Sequence, residues 1–257
     1  MKPERLHYTK FSPQEYAARY ERIRAEMRAA GLDCLIVYGA YSFLGTDAGQ
    51  ANMRYISNFP DHFQGYAVFP LQGDPVLLTS FVGHADNARE ISVIPDVRIG
   101  HIHIVERTAE AVREKGCAEG RIGIVGISSA RKVSIPWDHY EIFRAELPKA
   151  QFQIVTQMIE RLGQIKSAEE IAYLERGARI TESAFEAQLQ AARPEVTNHD
   201  LFTEVLAASH RAGGDAGDLP PGLHRHRAAG PGLSRSLSVE PGPPAGGHHP
   251  QRDQLGL

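Results

Sequence analysis

This sequence has few cysteines, a small net charge and no long apolar run. Each of these features argues against a class of protein. Among 257 residues there are two cysteines; Cys34 and Cys117 are far apart in sequence and lack metal-ligand spacing, so we expect no disulfide framework and a reducing compartment. The formal net charge of −3 gives no electrostatic basis for binding nucleic acid or an anionic membrane. No apolar stretch approaches the ~20 residues of a membrane span, and the N-terminus lacks a signal-peptide core. We therefore predict a cytoplasmic protein that binds neither nucleic acid nor membrane.

The last part of the sequence also lacks most of the residues that build a protein core. From Arg211 to Leu257 there is no Ile, Phe, Tyr, Trp, Met, Lys or Cys, and glycine, proline and histidine are abundant instead. Such a segment buries too little apolar surface to offset the entropy lost on folding. We predict that residues 213–257 form a disordered tail.

The sequence before this tail indicates a mixed α/β domain over residues 1–155. Ser12 and Glu15 have the spacing of a capping box, with a proline at the first helical position, and helical periodicity follows. The nearly continuous apolar run at 33–39 is typical of a strand covered on both faces. The other predicted elements are strands at 65–70 and 75–79 joined as a hairpin, a helix at 109–115, a strand at 122–126, a helix at 137–147 and a strand at 151–155.

Residues 156–212 are predicted to be helical throughout. A short connecting helix at 157–162 precedes a second capping box, formed by Ser167 and Glu170, that opens a helix reaching about Ala192. Thr197 or Asn198 caps a third helix. These helices present apolar stripes, and no further sheet is predicted to cover them.

The order of these segments resembles a known family. An amphipathic helix, then GLDCLIVYG, then NMRYISNF and a GYAVFP hairpin are similar to the N-terminal domain of the creatinase/prolidase/aminopeptidase P group. The stretch from Arg161 to Ile171 is similar to the R-x-x-K-S-x-E-E-I segment that opens the "pita-bread" metallopeptidase domain of that group. The resemblance covers about residues 10–212. It implies a creatinase/prolidase-type α/β domain followed by an incomplete α+β catalytic domain.

The resemblance also implies a metal centre that these residues do not supply. Complete members hold two divalent metals (Mn, Co or Zn) with two Asp, one His and two Glu, all downstream of the opening helices. Two cations sharing a hydroxide can attack a polarised carbonyl. The carboxylates after Ala212 are Asp215, Asp218, Glu240 and Asp253, set among glycine and proline. We assign no catalytic, cofactor-binding or metal-ligating residue in this chain.

A change of reading frame is our hypothesis for the unusual tail. When the codons of residues 247–254 are regrouped by one base, their degeneracy permits Asp-Ile-Ile-Leu-Asn-Glu-Ile-Ser. This resembles the strand that follows the opening helices in the family. We place the frameshift near residues 214–218.

Several histidines, glycines and a cysteine are candidates for separate sites. We expect His101 and His103 on one face of a partly exposed strand. A metal site there is less favoured, because no third ligand lies nearby in sequence. The family resemblance implies that this domain can contribute a side chain to a neighbouring subunit's active site. The candidates are His84, His101 and His103, and no motif selects one of them. For the remaining motifs we favour ordinary structural roles: a buried strand for residues 123–126, a helix N-terminus for 198–200, a buried inert thiol for Cys34, and accidental clusters for 224–227 and 248–249.

Three hypotheses for function follow. The first is a fragment of an Xaa-Pro peptidase-type hydrolase, inactive as given, whose complete form cleaves proline-containing peptides; creatinase- or ectoine-hydrolase-like ancestry is an alternative. The second is a non-catalytic dimerisation or substrate-gating module, acting as a homodimer or with a full-length homologue. The third is a stand-alone α/β binding domain, which would need a pocket with convergent polar groups.

Overall fold

The computed structural model describes residues 10–40, 47–59 and 63–214. The chain divides into two units, residues 1–179 and 180–257. The predicted tail lies outside the described residues from position 215 onward, so its predicted disorder stays a prediction. The same holds for the acidic residues and histidine clusters of that tail.

The first unit is built on a mixed six-stranded sheet with the order β4-β3-β2-β1-β5-β6. The pairs β1–β2 and β2–β3 are antiparallel, whereas β1–β5, β5–β6 and β3–β4 are parallel. The strands are β1 (Cys34–Ala40), β2 (Gln64–Pro70), β3 (Val76–Thr79), β4 (Asp96–Ile99), β5 (Arg121–Val125) and β6 (Gln151–Ile154). This arrangement confirms the predicted mixed sheet and the β2–β3 hairpin.

Helices cover both faces of this sheet, as predicted from the continuous apolar strands. The described α-helices are α1 (Pro13–Ala30), α2 (Ala51–Ser57), α3 (Ala85–Ile91), α4 (Ile104–Glu114), α5 (Trp137–Glu146), α6 (Thr156–Leu162), α7 (Ala168–Ala191) and α8 (Asn198–Arg211). Short 3-10 helices lie at Asp47–Gln50, Val82–His84 and His101–His103.

Alternate residues of β1 enter two separate cores. Leu35 and Val37 pack in the cluster that includes residues of α1, α2 and α6. Cys34 and Ile36 pack on the opposite face, against α4 and the fully buried Phe143 of α5. Burial on both faces explains why β1 shows no polar alternation.

The helix caps are confirmed in two cases and corrected in one. Ser167 and Glu170 form both hydrogen bonds of the capping box at α7, and Thr197 does the same with Asp200 at α8. At α1 the Ser12 hydroxyl accepts from the backbone N–H of Glu15 at 3.1 Å. The reciprocal bond is missing because the Ser12 N–H donates to Glu169 instead, at 2.8 Å.

The predicted strand position of His101 and His103 is wrong. Both residues lie in a 3-10 helix, and His101 has a positive φ of 53°. The ladder ends at Ile99, and the N–H of Gly100 makes a last bond to Thr79 O at 2.8 Å. The following helix α4 begins at Ile104, earlier than predicted, because the side chain of Ile104 is buried in the core beneath it.

The predicted apolar stripe of α7 is largely exposed. Ile171 and Leu174 are about half exposed, and Phe185 and Leu189 are exposed further still. In the second unit, Ala184 and Val205 are the buried apolar side chains among the described residues. Apolar surface of this extent on described helices is typical of an interface.

A pair formed by the buried Tyr66 and the half-buried His139 predicts a pH dependence of stability. The Tyr66 hydroxyl lies 2.7 Å from Nδ1 of His139, and burial raises the pKa of Tyr66 well above its usual value, so the hydroxyl stays protonated and donates. Burial lowers the pKa of His139. The unfolded chain therefore binds a proton more readily than the folded chain, and stability falls as the pH drops below the unfolded histidine pKa of about 6.5.

We expect the melting temperature to fall between pH 7 and pH 5, and less so in His139→Gln, since glutamine can accept the bond but does not titrate. Thermal denaturation at several pH values measures this. Three carboxylates have lowered pKa values and affect stability only at lower pH: Asp96, Glu169 and Asp200. An equal fall of the melting temperature in the parent chain and in His139→Gln would contradict the assignment of this pH dependence to His139.

Candidate functional site: a buried ion-pair junction between α1 and α7

The guanidinium of Arg19 is the centre of a buried network. Arg19 is only 2% exposed. Its Nε donates to Glu15 Oε1 at 2.8 Å, one turn earlier on α1, and its Nη1 donates to the backbone oxygen of Tyr55 at 3.1 Å. Its Nη2 donates to Glu170 Oε1 at 2.8 Å. One side chain of α1 therefore binds α2 and α7 together.

Aromatic rings surround the same guanidinium. Its central carbon lies 4.4 Å from the ring centroid of Phe11 and 4.5 Å from that of Tyr55. The Phe11 ring also packs edge-on against Tyr173 of α7, with centroids 4.8 Å apart. Arginine suits such a site because its flat guanidinium can stack on rings while its edge donates to carboxylates.

The first turn of α7 supplies two carboxylates to this network. Glu170 accepts from the Ser167 N–H at 2.8 Å and from Arg19, so it caps its own helix and pairs with α1. Glu169 accepts from both the backbone N–H and the hydroxyl of Ser12. The hydrogen bond from the Ser12 hydroxyl, with that from its N–H, lowers the pKa of Glu169.

This arrangement gives a structural role to the Glu-Glu pair of the Arg161–Ile171 segment. Both carboxylates hold the start of α7 against the N-terminal end of α1. The sequence contained one part of the signal, the capping-box spacing of Ser167 and Glu170. The partner Arg19 was missed because its connection to Glu170 follows from tertiary packing and has no local pattern.

Two cavities lie beside β6 at the edge of the sheet. One, of about 530 Å³, is lined by residues that include Ser128, Lys132 and Arg161. The other, of about 380 Å³, is more apolar and is lined by residues that include Trp137 and Ile154. Trp137 is 69% and Ile154 68% exposed. The apolar cavity therefore continues into an exposed apolar surface at the edge of the sheet.

The histidines considered from sequence lie at one end of the β3–β4 pair. His84 ends the 3-10 helix that follows β3, and its ring lies 4.9 Å from that of Phe81. His101 and His103 follow β4 directly, and His103 Nδ1 lies 3.8 Å from Glu106. Their predicted role toward a neighbouring subunit stays a prediction.

The described residues do not fit the metal centre that the family resemblance implies. Within residues 10–40, 47–59 and 63–214, no three His, Cys, Asp or Glu side chains are grouped so that they could hold a metal ion. We therefore assign no metal ligand and derive no chemical step through a metal. None of the helices in these ranges is both long and apolar enough to cross a membrane.

The interpretations of two other motifs agree with the structure. Residues 123–126 include the end of the buried strand β5, and the Gly126 N–H donates to Thr156 Oγ1 at 2.8 Å. Residues 198–200 form the first turn of α8. Cys34 is fully buried, but it lies beside Cys117, which the sequence separation did not indicate.

The fold and the order of its elements define a class of protein. Residues 19–165 match the family described as the creatinase/prolidase N-terminal domain. The chain belongs to that family.

Curated relatives extend the likeness beyond this domain. An uncharacterized hydrolase/peptidase of Sinorhizobium fredii is 26% identical over 86% of this chain and 56% of its own length. The ectoine hydrolase of Halomonas elongata is 22% identical over 76% of this chain and 49% of its own length. The chain thus spans about half the length of these relatives.

Solved structures share the fold at low sequence identity. The Xaa-Pro dipeptidase from Bacillus anthracis has a TM-score of 0.57 at 21% identity, covering 76% of this chain and 49% of that one. The X-Pro aminopeptidase from Thermotoga maritima has a TM-score of 0.61 at 14% identity, with the same coverage of 76% and 49%. At these identities the likeness shows the fold alone.

Proposed function

We propose that this chain is the N-terminal, accessory part of an Xaa-Pro peptidase-type metal-dependent hydrolase. The observation that carries the proposal is the Arg19–Glu170 junction, which fixes the first turn of α7 to the family domain. By resemblance, α7 is the helix that opens the catalytic domain. The chain thus contributes the accessory domain and the start of the catalytic domain. Metal-dependent cleavage, with Mn, Co or Zn, belongs to residues further along the complete protein.

The nucleotide sequence downstream of the Gly214 codon tests this proposal. We expect that the shifted frame encodes two Asp, one His and two Glu in family context. A protein translated from that frame should cleave Ala-Pro in a metal-dependent way. If independent reads give an unbroken frame and the shifted frame encodes no family sequence, the frameshift is contradicted. The proposal would then lose the expected catalytic residues.

The substrate class is the finer part of the proposal. The solved neighbours include Xaa-Pro dipeptidases and prolidases, which favours proline-containing peptides. A curated relative at similar identity is named ectoine hydrolase, so a related amide is the alternative substrate. Turnover of Ala-Pro and of ectoine by the shifted-frame protein separates the two.

A second candidate function is association with another copy through the edge of the sheet. The outer edge of β6 pairs with no other strand among the described residues. Its sequence, Gln-Phe-Gln-Ile, carries no charge, and charged side chains are the usual protection of an exposed edge. An uncharged strand can pair with its own copy in antiparallel fashion without like-charge repulsion. The Trp137 and Ile154 side chains of each copy would then cover the apolar cavity of the other copy.

This candidate predicts a dimer that depends on Ile154. Size-exclusion chromatography with light scattering should give a dimer for the parent chain and a monomer for Ile154→Lys, because a lysine opposite its copy adds charge to the edge. Ile102→Lys is the matched control, since Ile102 is 78% exposed and lies beyond β4, at the far edge of the sheet. A parent chain that is monomeric at high concentration would contradict this function, as would equal effects of the two variants. A mixed dimer with a full-length homologue would extend it.

A further inference from the structure

The two cysteines, distant in sequence, are brought together at the start of the central strand. Cys34 is the first residue of β1 and points to the same face as Ile36 and Tyr38. This face is covered by α4, whose buried side chains include Ala111 and Val112. The Cys34 thiol therefore lies beneath the end of that helix.

The turn after α4 places Cys117 next to the start of β1. Gly116 has a φ of 74°, which glycine adopts without strain, and it reverses the chain after the helix. The Cys117 N–H donates to Val112 O at 3.1 Å, and its Sγ lies 3.7 Å from the carbonyl oxygen of Asp33, the residue before Cys34. The cap thus positions the Cys117 thiol against the backbone that carries Cys34.

The two thiols lie in the same buried cluster and are not equivalent. A hydrogen bond to Cys117, together with burial, raises the pKa of Cys34, whereas the bond received from Cys34 lowers the pKa of Cys117. The Cys34 proton has a second acceptor in Leu35 O, 3.4 Å from its sulfur. Cys34 is fully buried, and Cys117 is 7% exposed. Cys117 is therefore both the more acidic and the more accessible thiol.

We propose that Cys34 and Cys117 form a redox-active dithiol that hydrogen peroxide converts to a disulfide. The Cys117 thiolate attacks one peroxide oxygen, the O–O bond breaks, and Cys117 becomes a sulfenic acid while hydroxide leaves and takes up the thiol proton as water. The sulfur of Cys34 then attacks the Cys117 sulfur, and the sulfenic hydroxyl leaves with the Cys34 proton as a second water. Both sulfurs are oxidised, and the peroxide is reduced.

The assignment of roles follows from the surroundings of each thiol. A thiolate is the nucleophile in such reactions, so the thiol with the lower pKa reacts first. Cys34 has no direct path to solvent but adjoins Cys117, which suits a resolving thiol. The disulfide would join β1 to the turn between α4 and β5. This inference uses the folded first unit only and is independent of any peptidase activity.

The test uses the intact folded chain treated with a small excess of hydrogen peroxide. Remaining thiols are then blocked in denaturant, and the peptides are mapped without reduction. We expect loss of both free thiols, an intact mass lower by two hydrogen atoms, and a single peptide pair joining Cys34 to Cys117. The same treatment in urea is the control for proximity, and it should give slower and mixed products. Two free thiols after treatment, or disulfides between chains only, would overturn the proposal.

Single variants test the order of events. In Cys34→Ala, we expect Cys117 to accumulate as a sulfenic acid that dimedone traps. In Cys117→Ala, labelling of Cys34 should be weaker by about tenfold or more, because Cys34 is fully buried and peroxide and dimedone must reach its sulfur. Equal labelling, or stronger labelling of Cys34, would overturn the assigned roles. If a variant fails to fold, the peptide map of the parent chain still decides whether the disulfide forms.

Discussion

Replacing Arg19 by methionine is expected to lower the free energy of unfolding by about 3–5 kcal/mol. The substitution retains apolar volume but leaves the Glu170 carboxylate, whose side chain is 11% exposed, without its positive partner. Glu15, whose side chain is 7% exposed, keeps only the more distant Arg22, 3.7 Å away. Removing one member of a buried ion network is costly because the remaining charges stay desolvated. Urea denaturation of the parent chain and the variant measures the difference.

Two controls separate this cost from a general effect of losing an arginine. Arg107→Met removes an exposed i,i+3 pair with Glu110, 3.2 Å apart, and should change stability by no more than about 0.5 kcal/mol. The triple variant Arg19→Met, Glu15→Gln, Glu170→Gln removes all three charges and should be more stable than Arg19→Met alone. If Arg19→Met costs no more than Arg107→Met, the buried junction is not present in solution.

Phe143→Ala is expected to cost about 3–5 kcal/mol of unfolding free energy. Phe143 is fully buried in the core between α4, α5 and the sheet. Its ring meets that of Tyr66 edge-on, with centroids 5.5 Å apart, so the substitution leaves a cavity beside the Tyr66–His139 pair. Thermal or urea denaturation measures the loss.

The matched control is Phe185→Ala on α7. Phe185 is 61% exposed, so little apolar surface returns to water on substitution, and we expect a change below about 1 kcal/mol. A large effect at Phe185 in the isolated chain would mean that α7 buries this ring against something the described residues do not show. Similar small effects at both positions would contradict the packing of α5 on the sheet.

Local sequence patterns predicted most of the first unit. The apolar run at 33–39 indicated a strand covered on both faces, and β1 indeed faces two cores. The capping spacing of Ser167 and Glu170 located the start of α7 correctly. Such signals succeed because a strand or a helix end is specified by residues only a few positions apart.

Long-range pairing explains what the sequence did not predict. Half of the Ser12 capping box is replaced by Glu169, and the Arg19–Glu170 and Cys34–Cys117 pairs join residues that only the sheet topology brings together. At His101 the polar–apolar alternation resembled a strand, but the ladder ends at Ile99 and the chain turns into α4. Tertiary packing overrode the local pattern there. That the catalytic residues lie outside this chain is inferred from the family resemblance alone. No contact among the described residues bears on that inference.

We propose that these residues form an accessory domain and that peptide cleavage belongs to the catalytic domain of a complete family member. The most direct measurement is hydrolysis of Ala-Pro by the purified 257-residue chain with Mn²⁺ or Co²⁺, beside a complete prolidase under the same conditions. We predict no release of proline above the protein-free blank while the prolidase turns over. Metal-dependent cleavage that follows the chain through purification and stops with a chelator would contradict the account.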